Sequence, residues 1–168
     1  MDKGLFQILI EGSRKAEMPI QKGIKVVLMA DDDEDDLLLV SKAFGAAGIP
    51  VELRSVLDGE ELLEYLFRRS KYEDSYLFPE PNLILLDLNM PRKDGREVLA
   101  EIKAHPILRQ IPVVVLTTSS EALDIKECCE MGASFFVTKP NSFNALVDLL
   151  STVVKYWLET VEAPSPLV

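Results

Sequence analysis

Cysteine occurs only twice in 168 residues, and histidine and tryptophan once each. The two cysteines, Cys128 and Cys129, are neighbours in the chain. Adjacent thiols suit neither a disulfide framework nor the spaced pairs of a structural zinc site, so reduced thiols and a cytoplasmic protein are expected. The lone histidine, His105, precedes Pro106 in a connecting segment and reads as surface structure, neither ligand nor base.

No cluster of Lys and Arg interrupts a formal net charge of −10. A chain without a basic patch is repelled by a polyanion, which argues against nucleic acid as a direct partner. Long apolar runs are missing too: nothing approaches the ~20 residues that cross a bilayer. Leu5–Ile10 is too short and too polar-flanked for a signal peptide, so no membrane association is expected.

What is present is a composition able to bury a core, 48% hydrophobic and 27% charged. The length fits one domain with modest extensions. Five short apolar runs recur at Val26–Ala30, Val51–Val56, Leu83–Leu86, Val113–Leu116 and Phe135–Thr138. Most are unbroken, as strands buried on both faces are; only Val51-Glu52-Leu53 alternates as an edge strand does. Helical spacing fills the intervals at Glu34–Ala47, Glu60–Arg68, Arg96–Ala104 and Glu121–Met131, and continues over Ser142–Leu158. Asp33 and Ser142 are expected N-caps, and Gly45, Gly48 and Gly132 expected stops.

Alternation of this kind predicts an α/β fold, a flavodoxin-like doubly wound (βα)5 domain with a five-stranded parallel sheet. Residues 1–23 are read as an N-terminal extension, 24–160 as the domain, 69–82 as a long loop rich in aromatics and proline, and 161–168 as a tail. No output domain is expected within this length.

The residues that follow the runs carry chemistry: Asp31-Asp32-Asp33, Asp87, Thr117-Thr118 and Lys139-Pro140. In a parallel sheet these carboxyl ends lie side by side, where open α/β folds bind ligands. Clustered carboxylates repel one another unless a hard divalent cation, Mg2+ first, sits among them. Asp32 and Asp87 are the expected direct ligands, with Asp31 acting through water. A carboxylate is also a nucleophile able to form an aspartyl phosphate. Lys139 then offers a cation and Thr117 a hydroxyl to the phosphoryl oxygens. Glu34, Asp35 and Asp36 are read as a solvated helix start.

The run Leu86-Asp87-Leu88-Asn89-Met90-Pro91, with Asp94-Gly95 after it, the acidic cluster before it and Thr117 and Lys139-Pro140 beyond, resembles the receiver domains of two-component response regulators. The resemblance spans roughly Lys25 to Thr160. The stretch from Pro106 through Leu116-Thr117-Thr118-Ser119, together with the long loop, is similar to stand-alone receivers encoded beside bacterial phytochromes.

That resemblance implies strand order 2-1-3-4-5, with the edge-like second run outermost. It implies phosphorylation of Asp87 by a histidine kinase, with a phytochrome-type kinase as one candidate. Asp31, Asp32, Asp87 and the carbonyl of Asn89 would form the Mg2+ site. Thr117, Thr118 and Lys139 would bind the phosphoryl group, Thr117 and Phe136 would form the switch, and Lys139–Pro140 would be a cis bond with Pro140 structural. The expected protein is no enzyme, although it assists its own phosphorylation and dephosphorylation. It signals through the surface around the fourth and fifth helices to a partner or a second copy of itself, a homodimer to which Trp157 on the last helix could contribute. Two alternatives stand: a pseudo-receiver binding module, and an aspartate-nucleophile phosphohydrolase. The second usually carries a general acid two residues after the nucleophile, where this chain has Asn89.

Overall fold

The computed structural model describes residues 23–118 and 121–160. The expected extension as far as residue 22, Ser119 and the tail over 161–168 lie outside the described residues. Strands and helices alternate as β1 (Lys25–Ala30), α1 (Glu34–Ala47), β2 (Val51–Val56), α2 (Gly59–Leu66), β3 (Leu83–Leu86), α3 (Gly95–Ala104), β4 (Val113–Thr117), α4 (Ala122–Glu130), β5 (Phe135–Thr138) and α5 (Phe143–Val154). Every neighbouring pair of strands is parallel, in the order β2-β1-β3-β4-β5, as expected.

Successive side chains of a strand point to opposite faces, and the apolar runs therefore feed two cores. Val27, Met29, Leu85 and Val114 pack with Leu37 and Phe44 of α1 and Leu146 and Leu150 of α5. Leu28, Ile84, Leu86 and Val115 pack with Leu62 of α2 and Val98, Leu99 and Ile102 of α3. Each such buried side chain contributes ~1.5–3 kcal/mol. With helices covering both faces, the carboxyl ends of β1 and β3, where the chain changes direction, form the open crevice.

The edges depart from the simple pattern. β2 is outermost, yet its polar Glu52 and Arg54 are only 9% and 4% exposed. Arg54 Nε donates to Glu52 Oε1 at 2.6 Å, and the guanidinium lies 5.9 Å from the centre of the Phe78 ring. The loop between α2 and β3 covers them, pinned by Tyr72 and Phe78, whose rings stack edge-to-face at 4.8 Å. The opposite edge, β5, has the sequence of a strand buried on both faces, but Phe135 is 53% exposed. Phe135 stands in register with Val114 of the α1–α5 side core, so it is exposed on the face opposite Cys128, the residue that α4 buries.

Helix termini follow the side chains. Asp33 accepts from the N–H of Asp35 and of Asp36 at the start of α1, and Ser142 caps α5 through the Ala145 N–H at 3.2 Å. Gly45 does not stop α1. The helix runs through it to Gly48, whose φ of 66° is the left-handed conformation that glycine adopts without steric cost. The last helix, expected to wind evenly to Leu158, passes at Lys155 into a π-helical segment, Lys155–Thr160. Among the described residues no helix is long and apolar enough to cross a membrane.

Candidate phosphoryl-acceptor and metal site

Strand ends deliver the carboxylates. The Asp31 N–H donates to Val56 O at 3.2 Å and the Asp87 N–H to Ala30 O at 3.0 Å, so both residues continue sheet pairing to the rim of the crevice. Asp31, Asp32 and Asp87 each bring a carboxylate oxygen within 4.8 Å of the others. Asp31 is fully buried, Asp87 nearly so and Asp32 exposed. One oxygen of the buried Asp87, Oδ1, has no hydrogen-bond partner among the described residues. An orphaned buried carboxylate oxygen is costly, and beside two further carboxylates it is the position a hard cation satisfies.

Lys139, following β5, closes the site. Its Nζ lies 2.7 Å from Asp31 Oδ2, 2.6 Å from Asp36 Oδ2 and 3.8 Å from Asp87 Oδ2. The other Asp31 oxygen accepts from the Asp33 N–H at 2.9 Å. Burial raises the Asp31 pKa to about 6 against the opposing pull of Lys139. It raises that of Asp87 as well, with Lys139, the Thr117 hydroxyl and the backbone N–H groups of Asn89 and Leu88 lowering it in part. The carboxylates hold the ammonium of Lys139 in its charged form despite burial.

Thr117, at the end of β4, is fully buried with its hydroxyl on the Asp87 carboxylate. Thr118 and Asn89 are exposed at the rim. Phe136 is half-buried, away from the carboxylates, and packs on the α2–α3 side core; it stands in register with Val115 of β4. The Lys139–Pro140 bond, expected cis, is trans, because the described chain contains no cis peptide. Trans is the lower-energy isomer by ~0.5–1 kcal/mol. From it the Lys139 N–H reaches Thr117 O at 2.7 Å while the side chain reaches Asp31, so local bonding does not demand cis.

Two functional features are not evident in the sequence. Asp36 reads there as part of a solvated helix start, yet it is bonded to Lys139; its signal is the third-residue position after the Asp33 cap, on the side of α1 that faces the crevice. Gly95 reads only as part of a motif. A Cβ there would lie 2.3 Å from Asp87 O and 2.7 Å from Leu88 Cα, so only glycine lets α3 start this close to the acceptor strand. The Gly95 N–H donates to Leu88 O at 2.9 Å, and the Asp94 side chain and Glu97 complete a capping box.

Residues 27–151 match the response regulator receiver domain. The chain belongs to that family. Within it, the receiver is 43% identical over 141 residues to response regulator Rcp1 of Synechocystis sp., covering 84% of this chain and 94% of Rcp1. The crystal structure of the phosphorylated cyanobacterial phytochrome response regulator RcpA superposes with a TM-score of 0.78 at 38% identity, over 85% of this chain and all of that one. The Mn2+-bound form of Rcp1 matches at a TM-score of 0.74 and 42% identity, over 84% of this chain and 99% of that chain. Receivers of this family bind Mg2+ at the acidic pocket and are phosphorylated on an aspartate by histidine kinases, and the acidic cluster of this receiver is consistent with both.

Proposed function

We propose that this receiver is a single-domain response regulator, spanning 24–160, which accepts a phosphoryl group on Asp87 from a histidine kinase. The observation that carries the reading is the orphaned, buried Oδ1 of Asp87 within a carboxylate triad that faces Lys139. Coverage of 94% of Rcp1 supports the single-domain form. Similarity to RcpA, a phytochrome response regulator, supports a phytochrome-type kinase as donor.

Asp31, Asp32, Asp87 and the carbonyl of Asn89 are the residues that would hold Mg2+, which when bound neutralises charge on the transferring oxygens. Asp87 attacks phosphorus in line with the N–P bond of a phosphohistidine. An O–P bond forms as the N–P bond breaks, and the electron pair returns to the imidazole nitrogen. The attacking group is a carboxylate, so no proton has to be removed and no general base is needed. Lys139 turns from Asp36 to a phosphoryl oxygen, and the hydroxyls of Thr117 and Thr118 donate to the others. The inward pull on Thr117 is passed along the β4–β5 pair to Phe136, shifting a two-state equilibrium of the α4–β5–α5 surface. Leu123, Phe135 and Phe143 stand 69%, 53% and 41% exposed on that surface, which supports a homodimer or a protein partner there.

Incubation with an autophosphorylated phytochrome-type histidine kinase carrying radiolabel, in Mg2+, tests the reading. Label is expected to move to the wild-type receiver and not to Asp87→Asn. No transfer from any such kinase, or equal transfer to Asp87→Asn, overturns it.

A further inference from the structure

At the opposite pole from Asp87, where β1, β3, β4 and β5 begin, lies a cavity of about 180 Å3. Its charged lining is entirely cationic: Lys25 at the start of β1, Lys103 on α3 and Arg109 in the α3–β4 connection. Among the described residues no carboxylate lines it, in a chain with a net charge of −10.

Among the described residues these cations have no carboxylate partner. Lys103 Nζ donates only to two carbonyls, Arg109 O at 3.1 Å and Ile111 O at 3.0 Å, and burial lowers its pKa. The side chains of Lys25 and Arg109 make no hydrogen bond or ion pair with any described residue. Lys103 is thus a half-buried positive charge answered only by carbonyl dipoles, and the exposed cations Lys25 and Arg109 beside it add to a field that favours an anion.

Part of the lining is apolar. Trp157 and Leu158 come from the π-helical segment Lys155–Thr160, and single π turns occur frequently at functional sites. Sites for drug-sized ligands occupy ~300–1,000 Å3, so this cavity admits a body of about one ring and excludes a nucleotide. An inorganic oxyanion would make no use of the apolar surface that Trp157 and Leu158, half-buried against the α1–α5 side core, present to the cavity.

We propose that this cavity binds a small organic carboxylate, its charge among Lys25, Lys103 and Arg109 and its single-ring apolar body against Trp157 and Leu158. The site is separate from the phosphoryl-acceptor crevice and does not depend on it. Gln110, also in the lining, supplies a neutral donor that orients the carboxylate without adding charge.

Trp157 is the only tryptophan of the chain, so its emission reports the site directly. The full chain is titrated with sodium benzoate at constant ionic strength. A saturable change is expected in the wild type and equally in Asp87→Asn. The apparent Kd is expected to rise about tenfold in Lys25→Glu and in Arg109→Glu, the loss of about 1.4 kcal/mol that a tenfold change represents. Both substituted side chains are exposed, and far-UV circular dichroism checks that the fold is kept. Inorganic phosphate at the same concentrations is expected to give no saturable change. A response that never saturates, one unaltered by both charge reversals, or phosphate saturating as well as benzoate overturns the proposal.

Discussion

Asp36 Oδ2 lies 2.6 Å from Lys139 Nζ, while the nearest oxygen of Asp87 is 3.8 Å away. The cation that should meet the incoming phosphoryl group is therefore held by a carboxylate from the first turn of α1 as well as by Asp31. To pair with a phosphoryl oxygen, Lys139 gives up at least one charge-assisted hydrogen bond, a contact of the class worth ~1.5–3 kcal/mol when desolvated and less here because Asp36 is partly open to solvent.

Replacing Asp36 by Asn weakens that hold while keeping the size of the side chain. Phosphorylation by acetyl phosphate is expected to speed up by about three- to tenfold, the equivalent of roughly 1 kcal/mol. Stopped-flow or quench-flow rates at fixed Mg2+ measure it. A rate equal to or below that of the wild type would show that the Asp36–Lys139 contact does not restrain the lysine.

Gly95→Ala places a methyl group 2.3 Å from Asp87 O, against backbone that cannot yield without moving the acceptor. Overpacking of this kind costs ~1–3 kcal/mol. The urea midpoint is expected to fall and phosphorylation to slow, because the strain is applied to the acceptor residue itself. Gly45→Ala is the control: a Cβ there meets nothing within 4 Å, and alanine favours helix by ~1 kcal/mol, so stability should hold or rise.

The raised pKa of Asp31, about 6, sets two pH dependences of opposite sense. The folded value lies above the ordinary one, so the metal-free fold gains stability from this group at pH below about 4. That gain is lost as pH rises through about 6. Mg2+ competes with the same proton, so its affinity falls as pH drops below about 6. Thermal melts from about pH 4 to about 7.5 with chelator, and again with Mg2+, are expected to show both trends, with the falling metal-free slope reduced in Asp31→Asn. An unreduced slope in that variant would assign the titration elsewhere.

Much of this is legible in the chain. Strands buried on both faces announce themselves as unbroken runs of Val, Ile and Leu, and the limits expected for β1, β3 and β4 therefore fall within a residue of those observed. The site follows because Asp31, Asp87, Thr117 and Lys139 each end or follow such a run, and a parallel sheet brings those ends together. Tertiary context governs the rest. Glu52 reads as the polar position of an alternating edge strand, but it is buried against Arg54, whose guanidinium lies against Phe78 of the long loop, and no local pattern discloses what a distant loop covers. Phe135-Phe136-Val137 reads as doubly buried, yet it edges the sheet and Phe135 stands 53% exposed. Asp36 looks like one more acid at a helix start because its partner lies 103 residues away. A cis Lys139–Pro140 bond is expected by likeness alone, and the local bonding is satisfied in trans.

The most direct test is the intact mass of the protein after incubation with acetyl phosphate, for wild type and Asp87→Asn, with Mg2+ and with chelator. One added phosphoryl group, requiring both Asp87 and the metal, is the predicted result. No addition under any condition, or addition that persists in Asp87→Asn or without metal, would contradict Asp87 as the metal-dependent phosphoryl acceptor.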